Sequence, residues 1–168
     1  MKKPDVVVLL DNVRSAVNVG AIWRTAEAAG VTKLVLTGIT PHPAITSDQR
    51  LPYVVARDEA QLAKTALGAE KTLAFEYYED SLEAIRHLKQ SGYKVCAIEQ
   101  IEGSTSLLGW QPESHVVLVL GTEVNGLSED VLSVCDEIVE IPMFGRKESL
   151  NVSVAAGIIL YNLLQKLL

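Results

Sequence analysis

The hydrophobic positions of this chain fall into short, nearly continuous runs of valine, leucine and isoleucine, separated by longer segments of helical periodicity. Such runs predict β-strands. We expect strands at residues 6–10, 33–37, 72–75, 93–98, 116–120 and 137–141. Because most of these apolar residues are consecutive rather than alternate, the strands are typical of a parallel sheet that is buried on both faces.

The segments between the runs predict helices at residues 19–29, 57–67, 80–91 and 152–168, and a short helix capped by Ser128. Residues 39–51 contain Pro41 and Pro43 and predict a loop with at most one short helix. Strands and helices that alternate with short turns indicate an α/β fold, in which a parallel sheet is flanked by helices.

The last predicted helix, at residues 152–168, is apolar on most of its faces. A helix of this kind must be buried all round, whereas a terminal helix in a chain of 168 residues would normally leave one face in water. We therefore expect this helix to form a homodimer interface. Burial in the core of the monomer is the alternative.

Length, composition and charge narrow the class of protein. The chain has 168 residues, which favours one domain. It contains no apolar run long enough to span a membrane, and its N-terminal residues do not match a signal peptide. Cys96 and Cys135 have no CxxC spacing and are expected to be free thiols, and the three histidines form no metal-ligand motif. We expect a cytoplasmic protein without a metal. The net charge of −6 means that any contact with nucleic acid must come from a few local cations.

The first candidate motif, residues 12–26, directly follows a predicted buried strand. It contains Arg14 in a loop, and Asn18 and Gly20 at the start of a predicted helix. Arg24 lies less than two turns into that helix, so we expect its side chain to lean back towards the helix N-terminus. Ligands of open α/β sheets bind beyond the carboxyl ends of the strands, and arginines beside a helix N-terminus are suited to binding phosphate. The alternative is an ordinary solvated helix face.

The second candidate motif, residues 119–128, carries a buried strand straight into a glycine turn. Gly121 permits close approach of a ligand to the backbone, and Glu123 lies at the carboxyl end of the strand. The alternative for Glu123 is a solvated turn carboxylate. The motif is neither GxGxxG nor a P-loop, so it gives no support to nucleoside triphosphate chemistry.

The third candidate motif, residues 141–164, joins a strand end to the apolar last helix through a polar loop. Ser149 and Asn151 lie at the mouth of that helix, where free backbone N–H groups favour anions and polar ligand groups. The alternative is an N-cap and a surface loop, since both residue types are good caps.

Taken together and in this order, NxGxxxR, LGTExNGLS and IPMxGxxxSLNVSVA resemble the SpoU family (the TrmH-like branch) of the SPOUT superfamily of RNA methyltransferases. The resemblance runs from residue 8 to residue 164, and residues 41–110 match only in layout. It implies a parallel sheet with a C-terminal trefoil knot, a homodimer, S-adenosylmethionine bound in the knot, and methyl transfer to a ribose 2′-hydroxyl of tRNA or rRNA. Residues 1–168 are little more than the family's catalytic domain, so we expect no separate RNA-binding domain.

The resemblance also implies a role for individual residues. Arg24 would act at the 2′-hydroxyl, Ser149 and Asn151 would position Arg24 or the RNA phosphate, Asn18 would orient the first motif, and Glu123 would support the site and the dimer contact. The residues expected to hold the cofactor are Leu120, Gly121, Ile141, Met143 and Leu150. The residues expected to contact RNA are Arg14, Arg146 and Lys147.

Two questions stay open at the level of sequence. A guanidinium stays protonated in proteins, so Arg24 is either a general base, as the family's usual mechanism has it, or an electrostatic stabiliser of the developing alkoxide. The alternatives to a ribose methyltransferase are an enzyme of the same superfamily that methylates another atom, and a dimeric RNA-binding or assembly factor that binds the cofactor without turnover.

Overall fold

A computed structural model describes residues 4–122 and 124–168 of the chain. Within those residues, seven strands form one parallel sheet in the order β3-β2-β1-β6-β4-β7-β5. The strands are β1 Asp5–Asp11, β2 Lys33–Thr37, β3 Phe75–Tyr78, β4 Lys94–Ile98, β5 Thr105–Ser106, β6 His115–Leu120 and β7 Glu137–Glu140. The helices are α1 Ala16–Ala28, α2 Pro52–Ala66, α3 Ser81–Gln90, α4 Glu129–Val134 and α5 Val152–Leu167.

Side chains of the central strand β1 alternate between two hydrophobic clusters, one on each face of the sheet. Val6, Val8 and Leu10 pack with α1, α2 and α5, whereas Val7 and Leu9 pack with α3 and α4. All five side chains are at most 2% exposed. The prediction of a parallel sheet that is buried on both faces and flanked by helices is therefore confirmed.

Two helices begin earlier than the sequence predicts. Helix α1 begins at Ala16 rather than near residue 19, because the Ser15 hydroxyl accepts a hydrogen bond from the Asn18 N–H at 3.2 Å and caps the helix. Helix α2 begins at Pro52 rather than at residue 57, since proline is compatible with the first turn of a helix, where its missing N–H has no partner to lose. The optional short helix within residues 39–51 does not form.

Two strands also differ from the prediction. The strand expected at residues 72–75 lies at Phe75–Tyr78, because a 3₁₀ turn at Ala69–Lys71 takes up the chain before it. The short edge strand Thr105–Ser106 was not predicted, since two residues carry no periodicity. The remaining predicted strands and helices are confirmed to within two residues at each end.

A buried polar cluster fixes the carboxyl end of β1 against its neighbours. The Asp11 carboxylate, 6% exposed, accepts hydrogen bonds from the hydroxyls of Ser81 and Thr37 and from the Asn12 amide. The Asn12 side-chain oxygen in turn accepts from the Ile39 N–H at 3.2 Å. These bonds tie the ends of β1 and β2 and the start of α3 to one another, on the side of the sheet where the candidate motifs lie.

No helix in residues 4–122 and 124–168 is long and apolar enough to cross a membrane. The same residues contain no group of three or more histidine, cysteine or acidic side chains placed to hold a metal ion. Both cysteines are free, as predicted.

Candidate cofactor cavity and catalytic residues

A cavity of about 320 Å³ lies at the carboxyl ends of β4, β6 and β7, and its volume is within the range of small-molecule sites. Its walls are the residues that follow these strands and the first turns of α5. All five residues predicted to hold the cofactor line it: Leu120, Gly121, Ile141, Met143 and Leu150. The resemblance to the family predicted these residues, and in the fold they meet because β6 and β7 flank β4, so that their carboxyl ends lie at the same edge of the sheet.

Two glycines let the turn after β6 fold tightly over the cavity. A Cβ on Gly121 would lie 2.7 Å from the carbonyl oxygen of Gly126. Gly126 has a φ of 62°, and a Cβ there would collide with the carboxylate of Glu99. The backbone between these glycines therefore follows a path that larger residues would block.

Glu99 is a cavity residue that the sequence reasoning missed. Its two carboxylate oxygens accept hydrogen bonds from two different segments of backbone, the Gln100 N–H at 3.0 Å and the Leu127 N–H at 3.0 Å. The residue thus joins the end of β4 to the turn after β6. The available signal was its position, directly after a buried apolar strand.

The charge of the cavity wall is negative. Glu99 and Glu148 line the cavity, and among the residues that the structure describes no lysine or arginine does so. Aliphatic side chains, including Ile98 and Val152, supply much of the remaining wall. Such a wall suits an uncharged ring and a positive charge, and it disfavours a phosphate-bearing nucleotide, which needs cations or a glycine-rich phosphate loop.

The first and third motifs meet through two asparagines. The Asn151 amide donates a hydrogen bond to the side-chain oxygen of Asn18 at 3.2 Å. Asn151 is also the N-cap of α5, since its side-chain oxygen accepts from the Ser153 N–H at 2.9 Å. Capping and a site contact are therefore combined in one side chain. Ser149, two residues earlier, lines the cavity.

Arg24 lies apart from these residues within one chain. Its side chain is exposed and lines a separate depression of about 500 Å³ between α1, α2 and α5, beside Lys64 and Tyr161. Arg24 lies six positions after Asn18, which places it about 9 Å further along the helix axis and on a different side of the helix. The expectation that Arg24 leans back to the start of α1 beside Asn18 thus finds no support, and its catalytic role stays a prediction.

The residues predicted to contact RNA lie on segments next to residues that line the cavity. Arg14 lines a second space of about 600 Å³ that shares Thr122 and Asn125 with the first cavity. Arg146 and Lys147 are exposed in the loop that follows Met143. The same loop carries a side chain that the sequence reasoning did not single out, Phe144, which is 88% exposed. Glu123 falls outside the described residues.

The two thiols are unsuited to nucleophilic chemistry. Burial raises the pKa of Cys135 to about 11, and it raises the pKa of Cys96 as well. Both therefore stay protonated at neutral pH, and the thiolate is the reactive form. Neither cysteine lines the candidate cavity.

Comparison with known proteins identifies the family. A sequence model described as the SpoU rRNA Methylase family matches residues 5–161. The chain belongs to this family. Among its relatives, a tRNA (guanosine(18)-2′-O)-methyltransferase of Thermus thermophilus is 32% identical over 160 residues, which are 95% of this chain and 74% of that protein. The 23S rRNA (guanosine-2′-O-)-methyltransferase RlmB of a Burkholderia species is 34% identical over 155 residues, 92% of this chain and 57% of that protein.

Solved structures of SpoU-type enzymes have the same fold. The TrmH/SpoU tRNA modifying enzyme of A. aeolicus superposes with a TM-score of 0.79 at 28% identity, covering 98% of this chain and 76% of that one. The AdoMet-bound rRNA methyltransferase of Sinorhizobium meliloti superposes with a TM-score of 0.80 at 28% identity, covering 99% of this chain and 58% of that one. The resemblance found in the sequence motifs is therefore confirmed.

Proposed function

We propose that this protein transfers a methyl group from S-adenosylmethionine to a ribose 2′-hydroxyl of tRNA or rRNA. The observation that carries the proposal is the cavity at the ends of β4, β6 and β7, which collects all five residues predicted for the cofactor. Membership of the SpoU family and the names of the relatives, which are guanosine 2′-O-methyltransferases of tRNA and of 23S rRNA, support the reaction and the acceptor.

The cavity fits this cofactor by its chemistry. Leu120, Ile141, Met143 and Leu150 offer an apolar lining for the adenine ring, and the tight turn at Gly121 lets backbone groups approach it. The absence of lysine and arginine from the described lining is compatible with a cationic ligand and unfavourable for ATP or NAD. When bound, S-adenosylmethionine supplies a methyl group activated by a positively charged sulfur.

The polar residues of the first and third motifs have roles on the acceptor side. The hydrogen bond between Asn151 and Asn18 fixes the start of α5 against the start of α1, so that Ser149 is presented at the cavity. Arg24 holds a phosphate of the RNA and stabilises the negative charge that develops on the 2′-oxygen. We assign it this electrostatic role because a guanidinium remains protonated. Glu123 supports the site.

A homodimer through α1 and α5 accounts for the separate position of Arg24. The apolar side chains Val17, Val154, Ile158 and Tyr161 are 39–54% exposed on these two helices, and Tyr161 lines the same depression as Arg24. Covering this face with a second subunit would bury the apolar residues and would carry Arg24 of one subunit towards the cavity of the other. Arg14, Arg146 and Lys147 then add to the RNA path.

Light scattering during size-exclusion chromatography tests the dimer. We expect the wild-type protein to elute at twice the mass of the chain, and Tyr161→Asp to shift it to the monomer. Tyr53, 68% exposed on α2, provides the matched control, because Tyr53→Asp adds the same charge away from this face and should leave the dimer intact. A monomeric wild-type protein would contradict the proposal.

Two further proposals follow from the family. The chain visits β4, β5, β6 and β7 at interleaved positions of the sheet, and this order supports a trefoil knot formed by the C-terminal segments around the cavity. We also place the protein in the cytoplasm, because the relatives that it resembles are tRNA and rRNA methyltransferases.

The test of the function is methyl transfer from radiolabelled S-adenosylmethionine to unmodified tRNA and rRNA transcripts. We expect incorporation by the wild-type protein and none by Arg24→Ala, with binding of S-adenosylhomocysteine preserved in the variant. A protein that binds both cofactor and RNA but transfers no methyl group would instead be an RNA-binding or assembly factor.

A further inference from the structure

The carboxylate of Glu99 occupies a fixed position in the cofactor cavity. One oxygen is held by the Gln100 N–H and the other by the Leu127 N–H, each at 3.0 Å. Gly126 lies so close that a side chain there would collide with the same carboxylate. A carboxylate held from two sides in this way is oriented before any ligand binds.

Glu99 has more capacity to accept hydrogen bonds than these two contacts use. An ionised carboxylate has about four lone-pair sites on its two oxygens, and the backbone N–H groups occupy one on each. A second carboxylate, Glu148, also lines the cavity, and no cation in the described lining neutralises either of them. A ligand group that donates two hydrogen bonds side by side therefore matches the vacant sites of Glu99.

We infer that Glu99 binds the ribose of the cofactor by accepting hydrogen bonds from its 2′- and 3′-hydroxyls. This inference rests on the proposed function, because it takes the adenosine moiety of S-adenosylmethionine as the ligand. A vicinal diol presents two O–H donors to one carboxylate, and hydrogen bonds to an ionised acceptor are the strong ones. An acidic side chain near the carboxyl end of a strand recognises ribose in the same way in dinucleotide-binding folds.

A different placement of the ligand makes a different prediction. If the carboxylate faced the positively charged sulfur instead, it would favour S-adenosylmethionine over the uncharged S-adenosylhomocysteine. Neutralising Glu99 would then reduce the affinity ratio of these two ligands. A contact with the ribose leaves that ratio unchanged, since both ligands carry the same sugar.

Calorimetry separates these placements without measuring turnover. The ligands are S-adenosylmethionine, S-adenosylhomocysteine, and 5′-methylthioadenosine with its 2′-deoxy and 3′-deoxy forms. We expect loss of either hydroxyl to weaken binding to the wild-type protein about 10- to 100-fold, as for a charge-assisted hydrogen bond. In Glu99→Gln, S-adenosylhomocysteine should bind more weakly by a similar factor, and the deoxy forms should lose little more.

Glu148→Gln is the matched control, because it neutralises the other carboxylate that lines the cavity. It should keep the wild-type penalty for each deoxy ligand. The deoxy series on the wild-type protein requires no substitution, so it tests the inference even if Glu99→Gln disturbs the turn at Leu127.

Equal affinity of the wild-type protein for 5′-methylthioadenosine and both deoxy forms would overturn the inference while leaving the cofactor in place. A change in the ratio between S-adenosylmethionine and S-adenosylhomocysteine in Glu99→Gln, with the deoxy penalties retained, would also overturn it. Failure of the wild-type protein to bind either sulfur-containing cofactor would be a different result, because it would remove the proposed function itself.

Discussion

Gly20 of the first motif is a packing residue, and Gly20→Ala tests this reading. Gly20 lies inside α1 and is buried against α2. A Cβ at this position would lie 2.5 Å from the carbonyl oxygen of Leu62 and would collide with the hydroxyl of Thr65. The Leu62 oxygen is backbone and cannot rotate away, so the two helices must separate by about 1 Å to restore van der Waals contact.

The expected cost follows from three terms. Overpacking in a well-packed interior costs about 1–3 kcal/mol. Separating the helices also weakens the hydrogen bond from the Thr65 hydroxyl to the Val17 carbonyl, 2.9 Å long, which is worth about 0.5–1.5 kcal/mol. Replacing a glycine inside a helix by alanine increases the unfolding free energy by about 0.5–1 kcal/mol, because alanine loses less backbone entropy on folding. The net loss of unfolding free energy is about 2 kcal/mol, or roughly 4–8 °C in Tm for a chain of this size.

Denaturant titration at one protein concentration measures the effect and its origin. Ala60→Gly is the matched control for helix propensity, because Ala60 is exposed inside α2 and has no such close backbone contact. It should lower the unfolding free energy by only about 0.5–1 kcal/mol. Thr65→Ala removes one colliding atom, so Gly20→Ala combined with Thr65→Ala should be less destabilised than the sum of the single changes. A stabilised Gly20→Ala variant, or strict additivity of the pair, would refute the packing argument.

Three further predictions concern catalysis, RNA and pH. Arg24→Lys, like Arg24→Ala, should lose nearly all methyl transfer, because a point charge does not reproduce the two parallel donors of a guanidinium. Single-turnover assays measure the rate of methyl transfer, and a rate near that of the wild-type protein would show that Arg24 has no role in the reaction. Arg146→Glu should weaken RNA binding in filter assays and leave the affinity for S-adenosylhomocysteine unchanged. The RNA affinity of the wild-type protein should depend only weakly on salt concentration, because few phosphates are contacted. An RNA affinity of Arg146→Glu equal to that of the wild-type protein would show that this loop does not contact RNA. Burial, with Arg50 nearby, lowers the pKa of His42, so the folded state disfavours protonation of this side chain. In the unfolded chain the pKa is about 6.5. The contribution of His42 to stability is therefore present above that pH and is lost as the pH falls below it. The unfolding free energy should therefore drop between pH 7 and pH 5, and drop less in His42→Phe; an identical slope in both proteins would assign the titration to another group.

Apolar runs predicted the centres of the strands because short runs of consecutive valines and leucines are typical of strands that are buried on both faces of a sheet. The positions of Leu120, Gly121 and Ile141 at one cavity could be predicted only through the resemblance to the family, because the order of the strands that brings the ends of β6 and β7 together on either side of β4 cannot be read from the sequence. Helix starts were harder. They depended on single contacts such as the Ser15 cap, and on Pro52 being used to begin a helix rather than to end a loop.

The features that sequence could not supply arise from segments far apart in the chain. Glu99 owes its orientation to the Leu127 N–H, which only the folded sheet brings beside it. The hydrogen bond between Asn18 and Asn151 spans most of the chain. Arg24 was expected to lean towards the start of α1, but spacing along a helix does not reveal which surface the packing of α2 and α5 leaves open to it.

Nucleoside mass spectrometry tests the central claim most directly. Unmodified tRNA and rRNA transcripts are incubated with the protein and S-adenosylmethionine that carries a deuterated methyl group, then digested to nucleosides and fragmented. We expect the heavy methyl group on the ribose fragment of one nucleoside, and no heavy nucleoside with Arg24→Ala. A heavy methyl group on a base fragment, or none at all from a protein shown to bind the cofactor, would contradict the assignment of ribose 2′-O-methylation.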